Sequence, residues 1–229
     1  MDILEEIKSL ADEEQAQHLK RFFKTGKGEY GEGDLFLGIK VPITRAIAKK
    51  YYPSISLEKI DELIKNPYHE VRLLALLLMV FVYEKTEAKE DVIELYLKNI
   101  QYINNWDLVD LSAPKIIGHC IYESKDAQSI YELADTNHLW SNRIAVVSTL
   151  YLIKKGEFSQ ILELSEKFLT HKHDLMHKAV GWMLREMGKV DEKPLCTFLD
   201  KHHKTMPRTM LRYSIERLST DKKKHYMGR

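Results

Sequence analysis

Hydrophobic residues recur along this chain at the three- and four-residue spacing of amphipathic helices. Residues 2–24 place Ile3, Ile7, Leu19 and Phe22 on one side of a predicted helix. Proline and glycine fall between such segments, and no stretch shows the sustained apolar–polar alternation of a half-buried strand. The pattern therefore predicts an all-α protein without a β-sheet.

A glycine-rich loop follows the first predicted helix. It carries five glycines between residues 26 and 38, at spacings that match neither a phosphate-binding loop nor a dinucleotide-binding fingerprint. We interpret it as a flexible connector. Val41 and Pro42 close the loop, and a second helix is predicted over residues 43–51.

The later helical segments repeat. Arg72, Asp107, Arg143, Lys178 and Arg212 occupy equivalent positions, at intervals of 35, 36, 35 and 34 residues. A steady period of this size, filled by two helices and two turns, is typical of an α-solenoid. We predict a single domain over residues 1–229, a right-handed α-solenoid of HEAT-like repeats with a concave groove. A generic helical bundle with accidental spacing is the alternative.

Composition adds limits on compartment and partner. The chain has 229 residues, 44% of them hydrophobic, and a net charge of only +1. Residues 201–229 nevertheless hold nine Lys/Arg against two Asp/Glu, which favours an anionic partner, although residues 221–225 are expected to be a solvated, partly disordered tail. Two cysteines give no disulfide framework, and the acidic amphipathic N-terminal segment is unlike a signal peptide, so we expect a cytoplasmic protein. The longest apolar run, residues 71–83, is too short to span a bilayer, and no membrane association is expected.

The candidate chemistry is concentrated in residues 104–110. Trp106 and Asp110 lie four residues apart and share a face if this stretch is helical. An ordinary buried tryptophan near a helix start would give the same pattern. The repeat numbering, however, places these two residues on one arc of about 140° with Arg143, Trp182 and Arg185. That arc predicts convergence on one groove, although a buried seam between helices would also fit.

These residue types suit a particular ligand. Aromatic faces attract a planar cation, a carboxylate stabilises developing positive charge, and arginines bind phosphates through paired hydrogen bonds. DNA that carries an alkylated, positively charged purine makes all three demands. The pattern therefore favours DNA with a cationic lesion as the ligand.

Four motifs, in this order, resemble the AlkD family of DNA alkylation repair proteins, which are HEAT-like-repeat DNA glycosylases. The motifs are Phe36-Leu37-Gly38-Ile39-Lys40-Val41-Pro42-Ile43-Thr44-Arg45, Trp106-Asp107-Leu108-Val109-Asp110, Trp140-Ser141-Asn142-Arg143-Ile144-Ala145 and Lys178-Ala179-Val180-Gly181-Trp182-Met183-Leu184-Arg185-Glu186. The resemblance implies that Asp110 is the catalytic aspartate, that Trp106 and Trp182 flank the lesion, and that Arg143 lies near the aspartate. It implies a DNA-backbone contact for Arg185.

The resemblance also implies an activity. The family excises N3- and N7-alkylated purines such as 3-methyladenine and 7-methylguanine from double-stranded DNA, the first step of base excision repair, without a metal or organic cofactor. We expect a monofunctional enzyme that acts as a monomer and is nucleoid-associated when bound. The basic repeat residues Arg72, Lys178 and Arg212 are predicted to contact DNA. A non-enzymatic HEAT-like scaffold for DNA or protein is the alternative. Zinc binding by the histidines at 171, 173 and 177 is disfavoured, because the metalloprotease pattern is absent.

Overall fold

The structure is a computed structural model that describes residues 2–228. The helices, in chain order, are α1 (Ile3–Ser9), α2 (Glu13–Phe22), α3 (Val41–Tyr51), α4 (Leu57–Ile64), α5 (His69–Lys85), α6 (Lys89–Lys98), α7 (Trp106–Ala113), α8 (His119–Ser124), α9 (Gln128–Asp135), α10 (Leu139–Lys154), α11 (Ser159–Lys167), α12 (Asp174–Val190), α13 (Glu192–His202), α14 (Arg208–Ser214) and α15 (Thr220–Met227). Short 3₁₀ turns at Ile100–Tyr102 and Phe168–Thr170 and a π-helical turn at Pro114–Gly118 complete the helical structure. No strand forms within residues 2–228; Leu35 and Tyr68 make an isolated bridge. The all-α prediction is confirmed.

The first amphipathic segment is two helices rather than one. Asp12 breaks it, because its carboxylate accepts a hydrogen bond from the backbone N–H of Gln15 at 3.0 Å and so caps the start of α2. Asp2 and Glu5 form a capping box at the start of α1. The prediction of one helix over residues 2–24 is wrong at this break, because hydrophobic spacing alone does not show where a side chain caps a new helix.

The chain forms two compact units, one that runs to Ser112 and one that begins at Ala113. In unit 2, α10, α12 and α14 pack side by side in succession, while α9 packs on α10, and α11 and α13 pack on α12. The repeat positions Arg143, Lys178 and Arg212 are each the fifth residue of their helix. Unit 2 is thus built from helix pairs in which the repeat residue takes the same helix position each time, which is consistent with an α-solenoid. Its handedness and a concave groove stay predictions.

Unit 1 is organised around α5, which packs against α3, α4 and α6. Most of this helix is buried, and the burial extends to three polar residues of its first turn: His69, Glu70 and Arg72 are 2%, 1% and 4% exposed. Charged groups are rarely buried unless they are paired. The partners of these three residues shape the candidate site.

Glu70 holds the end of the glycine-rich loop. Its carboxylate accepts hydrogen bonds from the backbone N–H groups of Leu37 (2.9 Å), Gly38 (2.8 Å) and Ile39 (3.2 Å), all of them buried. Gly38 has φ +85°, and a Cβ there would lie 1.9 Å from the carbonyl oxygen of Asp12. The prediction of a flexible connector is therefore wrong for residues 37–39, which are fixed by a buried carboxylate.

The basic C-terminal segment contains a helix within the described residues. Residues Thr220–Met227 form α15, and Tyr226 is buried with its hydroxyl donating to Asp200 at 2.9 Å. The expectation of a partly disordered tail at 221–225 is wrong, because one aromatic anchor docks the helix. No helix in the described chain combines the length and apolarity that a membrane crossing needs.

Candidate functional site

A cavity of about 560 Å³ opens in unit 1 between α2, α3, α5 and α7. Its walls are mostly apolar, and a few charged groups face it. The lining residues are Gln15, Leu19, Phe22, Phe23, Ile39, Lys40, Val41, Pro42, Arg45, His69, Glu70, Leu73, Trp106, Asp107, Asp110 and Leu111. Apolar walls with a few convergent polar groups, in a volume of about 300–1,000 Å³, are typical of small-molecule sites. Both Trp106 and Asp110 are among the lining residues, as their four-residue spacing predicts.

Trp106 is held in an aromatic cluster. Its ring centroid lies 5.4 Å from that of Phe23 and 5.9 Å from that of Phe22, which stands at 66° to it. Phe23 stacks on Phe36 at 5.4 Å, and both are buried. Phe22 is 56% exposed. The cluster fixes Trp106, which stays half-buried, and leaves a second aromatic side chain at the mouth of the cavity.

Helix α7 begins at Trp106, so the candidate acid lies one turn into the helix. The side chain of Asn105 accepts from the backbone N–H of Trp106 at 2.9 Å, and Asp107 Oδ1 accepts from the N–H of Leu108 at 2.9 Å. These bonds satisfy donors that a helix start leaves open. Asp110 is half-buried and faces the cavity. Local hydrogen bonding thus fixes the turn that carries both candidate residues.

A buried ionic network reaches the cavity wall through His69 and Asp107. His69 Nε2 is 2.8 Å from Asp107 Oδ2, and His69 Nδ1 is 3.6 Å from Asp34 Oδ2. Arg72 Nη2 donates to Asp34 Oδ1 at 2.8 Å, and Asn104 donates to the same oxygen at 2.8 Å. The network connects the loop before α3, the start of α5 and the start of α7.

The network sets the charge of its members. Burial by itself would lower the pKa of His69, but the charge of Asp107, the hydrogen bond to Asp107 and the nearby carboxylate of Asp34 outweigh it and raise that pKa to about 9. Burial would raise the pKa of Asp34, yet the neighbouring His69 and the charge of Arg72 hold it below its usual value. His69 is therefore an imidazolium at neutral pH, between two carboxylates.

Arg72 is part of this interior network rather than of the surface. Besides Asp34, its guanidinium donates to the carbonyl oxygens of Asn66 and Pro67, both at 2.9 Å. The side chain is 5% exposed. This position does not support the predicted contact of Arg72 with DNA and gives the residue a structural role in unit 1.

In unit 2, Arg143 lies on α10 and Trp182 and Arg185 lie on α12. Arg143 is 5% exposed, and its Nη1 donates to the carbonyl oxygen of Leu175 at 2.8 Å. The geometry thus shows Arg143 holding the first turn of α12. Its predicted contact with substrate stays a prediction.

Trp182 and Arg185 share one acidic neighbour. Trp182 Nε1 donates to Glu186 Oε1 at 3.1 Å, and Arg185 Nε is 3.6 Å from the same oxygen. Arg185 Nη1 also forms an ion pair with Glu216. Both candidate side chains are half-buried. The guanidinium of Arg185 is therefore already neutralised, and a bound phosphate would compete with Glu216 for it.

The other two basic repeat residues differ from Arg72. Lys178 pairs with Asp174 at 2.8 Å one turn earlier on α12, and its side chain is 40% exposed. Arg212 is exposed on α14. Both are accessible to an anionic partner, and their predicted DNA contacts stay predictions, as does the convergence of the five arc residues on one groove.

The side chains of the histidines at 171, 173 and 177 form hydrogen bonds with backbone groups. His173 caps α12 by accepting from the N–H of Leu175, and His177 donates to the carbonyl oxygen of His171. No group of His, Cys, Asp or Glu side chains within residues 2–228 is arranged to hold a metal ion. These histidines therefore have structural roles.

Comparison with known families decides the membership of the chain. The family model for the DNA alkylation repair enzyme matches residues 3–218, nearly the whole chain. The chain belongs to the DNA alkylation repair enzyme family. Its role is therefore in alkylation repair, with DNA as its partner.

The fold agrees with that of a solved structure. A solved structure described as a predicted DNA alkylation repair enzyme from Enterococcus faecalis superposes with a TM-score of 0.76, over 92% of this chain and 97% of that one. The two sequences are 18% identical, so this likeness shows the fold alone. No curated protein sequence gives a significant match to this chain.

Sequence reasoning missed the residues that build this member's cavity wall. The helical pattern places Phe22 on one face of a predicted helix and assigns no role to Phe23, His69 or Glu70, which line the cavity. It also assigns no role to Asp34, which pairs with Arg72. One signal was present: His69, Glu70 and Arg72 stand in the first turn of an otherwise apolar helix. Three buried polar residues in four positions require partners from elsewhere in the chain.

Proposed function

We propose that this member of the DNA alkylation repair family is a monofunctional DNA glycosylase that excises positively charged N3- and N7-alkylated purines from duplex DNA. One observation carries the proposal. Trp106 and Asp110 line the same apolar cavity, one turn apart on α7. An aromatic face and a carboxylate side by side suit a cationic nucleotide.

Alkylation at N3 or N7 makes the purine a cationic leaving group. When the bond from the anomeric carbon to the purine nitrogen breaks, its electron pair leaves with the base, which becomes neutral, and positive charge develops on the sugar. Asp110 stabilises that charge and orients a water molecule. The water oxygen bonds to the anomeric carbon and loses a proton to the carboxylate or to solvent. Asp110 thus acts on charge that exists mainly in the transition state.

The cavity walls supply the remaining needs of this reaction. Phe22 and Trp106 line the same cavity as Asp110, and electrostatic stabilisation of the sugar would be stronger when the bound nucleotide displaces water from this apolar wall. Lys40 and Arg45 also line the cavity and are exposed, so they can bind flanking phosphates. Trp182, Arg143, Arg185, Lys178 and Arg212 would contribute further contacts with lesion or backbone.

The test is release of 3-methyladenine and 7-methylguanine from methylated duplex DNA. We expect release by the wild type and a loss of about 10²–10³-fold in single-turnover rate for Asp110→Asn. Asp91→Asn is the matched control, because Asp91 is exposed on α6 and outside the cavity. It should leave the rate unchanged.

Two further outcomes discriminate between alternatives. Binding of duplex DNA without release by the wild type would favour a non-enzymatic scaffold and refute the proposal. Trapping of a covalent enzyme–DNA adduct with borohydride would show an amine nucleophile and refute the monofunctional mechanism. Equal rates for Asp110→Asn and wild type would remove Asp110 from its proposed role.

A further inference from the structure

The buried imidazole of His69 forms part of the wall of the cavity that also contains the proposed catalytic turn. We propose that His69 is a positioning residue for base excision: it ties the first turn of α7 to α5 through Asp107 and thereby fixes Trp106 and Asp110. This inference rests on the proposed function, since it assigns a support to the same site. It differs in that it assigns His69 no contact with the reacting atoms.

The imidazole ring packs against two phenylalanine rings that also stack on each other. Its centroid lies 4.9 Å from the ring centroid of Phe23 and 4.9 Å from that of Phe36, at 35° and 25°. Only 2% of its surface is exposed. Packing therefore restrains the plane of the ring, and its Nε2 points at Asp107.

Asp107 divides its two oxygens between neighbouring helices. Oδ2 bonds to His69 on α5 at 2.8 Å, while Oδ1 accepts from the N–H of Leu108 in the first turn of α7 at 2.9 Å. Trp106 stands one residue before Asp107, and Asp110 stands three residues after it. A shift of this carboxylate would therefore move both proposed site residues with the helix start.

A second hydrogen bond connects the network to the segment before α7. Asn104 donates to Asp34, whose other oxygen faces His69 Nδ1 at 3.6 Å. Arg72 completes the set through its bond to Asp34. The charged groups facing His69 are thus Asp107 from α7, Asp34 from the loop and Arg72 from its own helix. With His69 protonated, two positive charges oppose two negative ones, as a buried cluster requires.

The position of this network matters because catalysis is sensitive to small displacements. A misplacement of about 1 Å can cost about 10²-fold in rate when reacting groups must align. A glutamine at position 69 can still donate one hydrogen bond but cannot be charged or stack as a rigid ring. His69→Gln thus weakens the bond to Asp107 while the side chains of Trp106 and Asp110 stay unchanged.

The experiment is a double-mutant cycle of His69→Gln and Asp107→Asn in the full chain, with single-turnover excision from methylated duplex DNA as the readout. We expect each single variant to lose about 10–100-fold in rate, with DNA affinity changed by less than about threefold. The double variant should be no slower than the slower single variant, because both changes break one tie. A double variant whose loss in rate equals the product of the two single losses would overturn the inference. So would losses in DNA affinity without losses in rate.

A matched control separates positioning from general destabilisation. Asn99 is 1% exposed, lies in unit 1 and bonds to Asp61 at 2.7 Å. Asn99→Ala also breaks a buried polar contact, but one that does not involve α7. It should excise at close to the wild-type rate. A loss equal to that of His69→Gln would reduce His69 to ordinary structural support.

The pH dependence of the excision rate distinguishes a positioning role of His69 from a merely structural one. The wild-type rate should fall as pH rises through about 9, where His69 loses its proton. His69→Gln should be slower and lack this alkaline limb. A limb of the same shape in the variant would overturn the inference.

Failure of the proposed function can be told apart from failure of this inference. If the wild type releases no base, amide hydrogen exchange over residues 104–112 becomes the test. His69→Gln should accelerate exchange there and Asn99→Ala should not; unchanged exchange overturns the positioning role. If His69→Gln does not fold, ¹⁵N-histidine spectra of the wild type decide, because His69 must be protonated at pH 7 with a slowly exchanging Nε2–H.

Discussion

Glu70→Ala is the substitution for which the structure specifies the loss of free energy of unfolding most closely. The carboxylate accepts from three buried backbone N–H groups, those of Leu37, Gly38 and Ile39, at 2.8–3.2 Å. Truncation leaves all three without their acceptor. A buried donor left unsatisfied costs about 1–3 kcal/mol, so three give about 3–9 kcal/mol.

The expected loss lies at the lower end of that range. Alanine removes the cost of keeping a carboxylate out of water, and the loop can relax to admit solvent. We therefore expect Glu70→Ala to lower the free energy of unfolding by about 3–5 kcal/mol, a large part of the stability of an ordinary domain. Ile39 and Lys40 lead into the cavity wall, so excision should also slow.

Urea unfolding followed by circular dichroism measures this loss. Glu29→Ala is the matched control, because Glu29 accepts from the N–H of Gly26 at 2.9 Å in the same loop but is exposed. Water replaces that bond, so the control should lose less than about 1 kcal/mol. Equal losses for the two variants, or a loss below about 1 kcal/mol for Glu70→Ala, would refute the reasoning.

Three further outcomes are expected. Gly38→Ala should destabilise by more than about 3 kcal/mol in urea unfolding, because it adds a backbone clash to the strain of positive φ; Gly28→Ala, with φ +79° and open space around it, should cost only about 1 kcal/mol. Glu216→Gln should strengthen duplex DNA binding and steepen its logarithmic salt dependence by about 0.9, because it frees Arg185 for one phosphate; an unchanged slope would count against that contact. Because the pKa of His69 is raised, its protonated form stabilises the fold. This stabilisation is complete below about pH 6.5, and up to about 3 kcal/mol of it is lost as pH rises through 9. The urea midpoint of the wild type should therefore fall between pH 7 and 10, and that of His69→Gln should fall less.

The elements that could be predicted from sequence are those fixed by local periodicity. The period near 35 residues placed Arg143, Lys178 and Arg212 at one helix position, and the structure puts each at the fifth residue of its helix. The spacing of Trp106 and Asp110 likewise placed both on one face. Such patterns are readable because helical geometry relates neighbours three and four residues apart.

What could not be predicted depends on partners distant in sequence. Glu70 clamps a loop more than thirty residues before it, and His69 meets Asp107 thirty-eight residues after it. The basic character of Arg72 suggested a surface contact, whereas its charge is matched in the interior by Asp34. A sequence shows that a charge exists, and only the fold shows what neutralises it.

The ionic network also constrains the order in which the polypeptide can acquire its structure. Asp34 and His69 precede Asp107 in synthesis, so a nascent chain that has not yet reached residue 104 holds an acid and an imidazole without their last partners. Enclosing those groups early would cost their hydration with no compensating bond. We therefore expect α7, which carries Asp110, to pack into unit 1 only after the elements that surround it have formed.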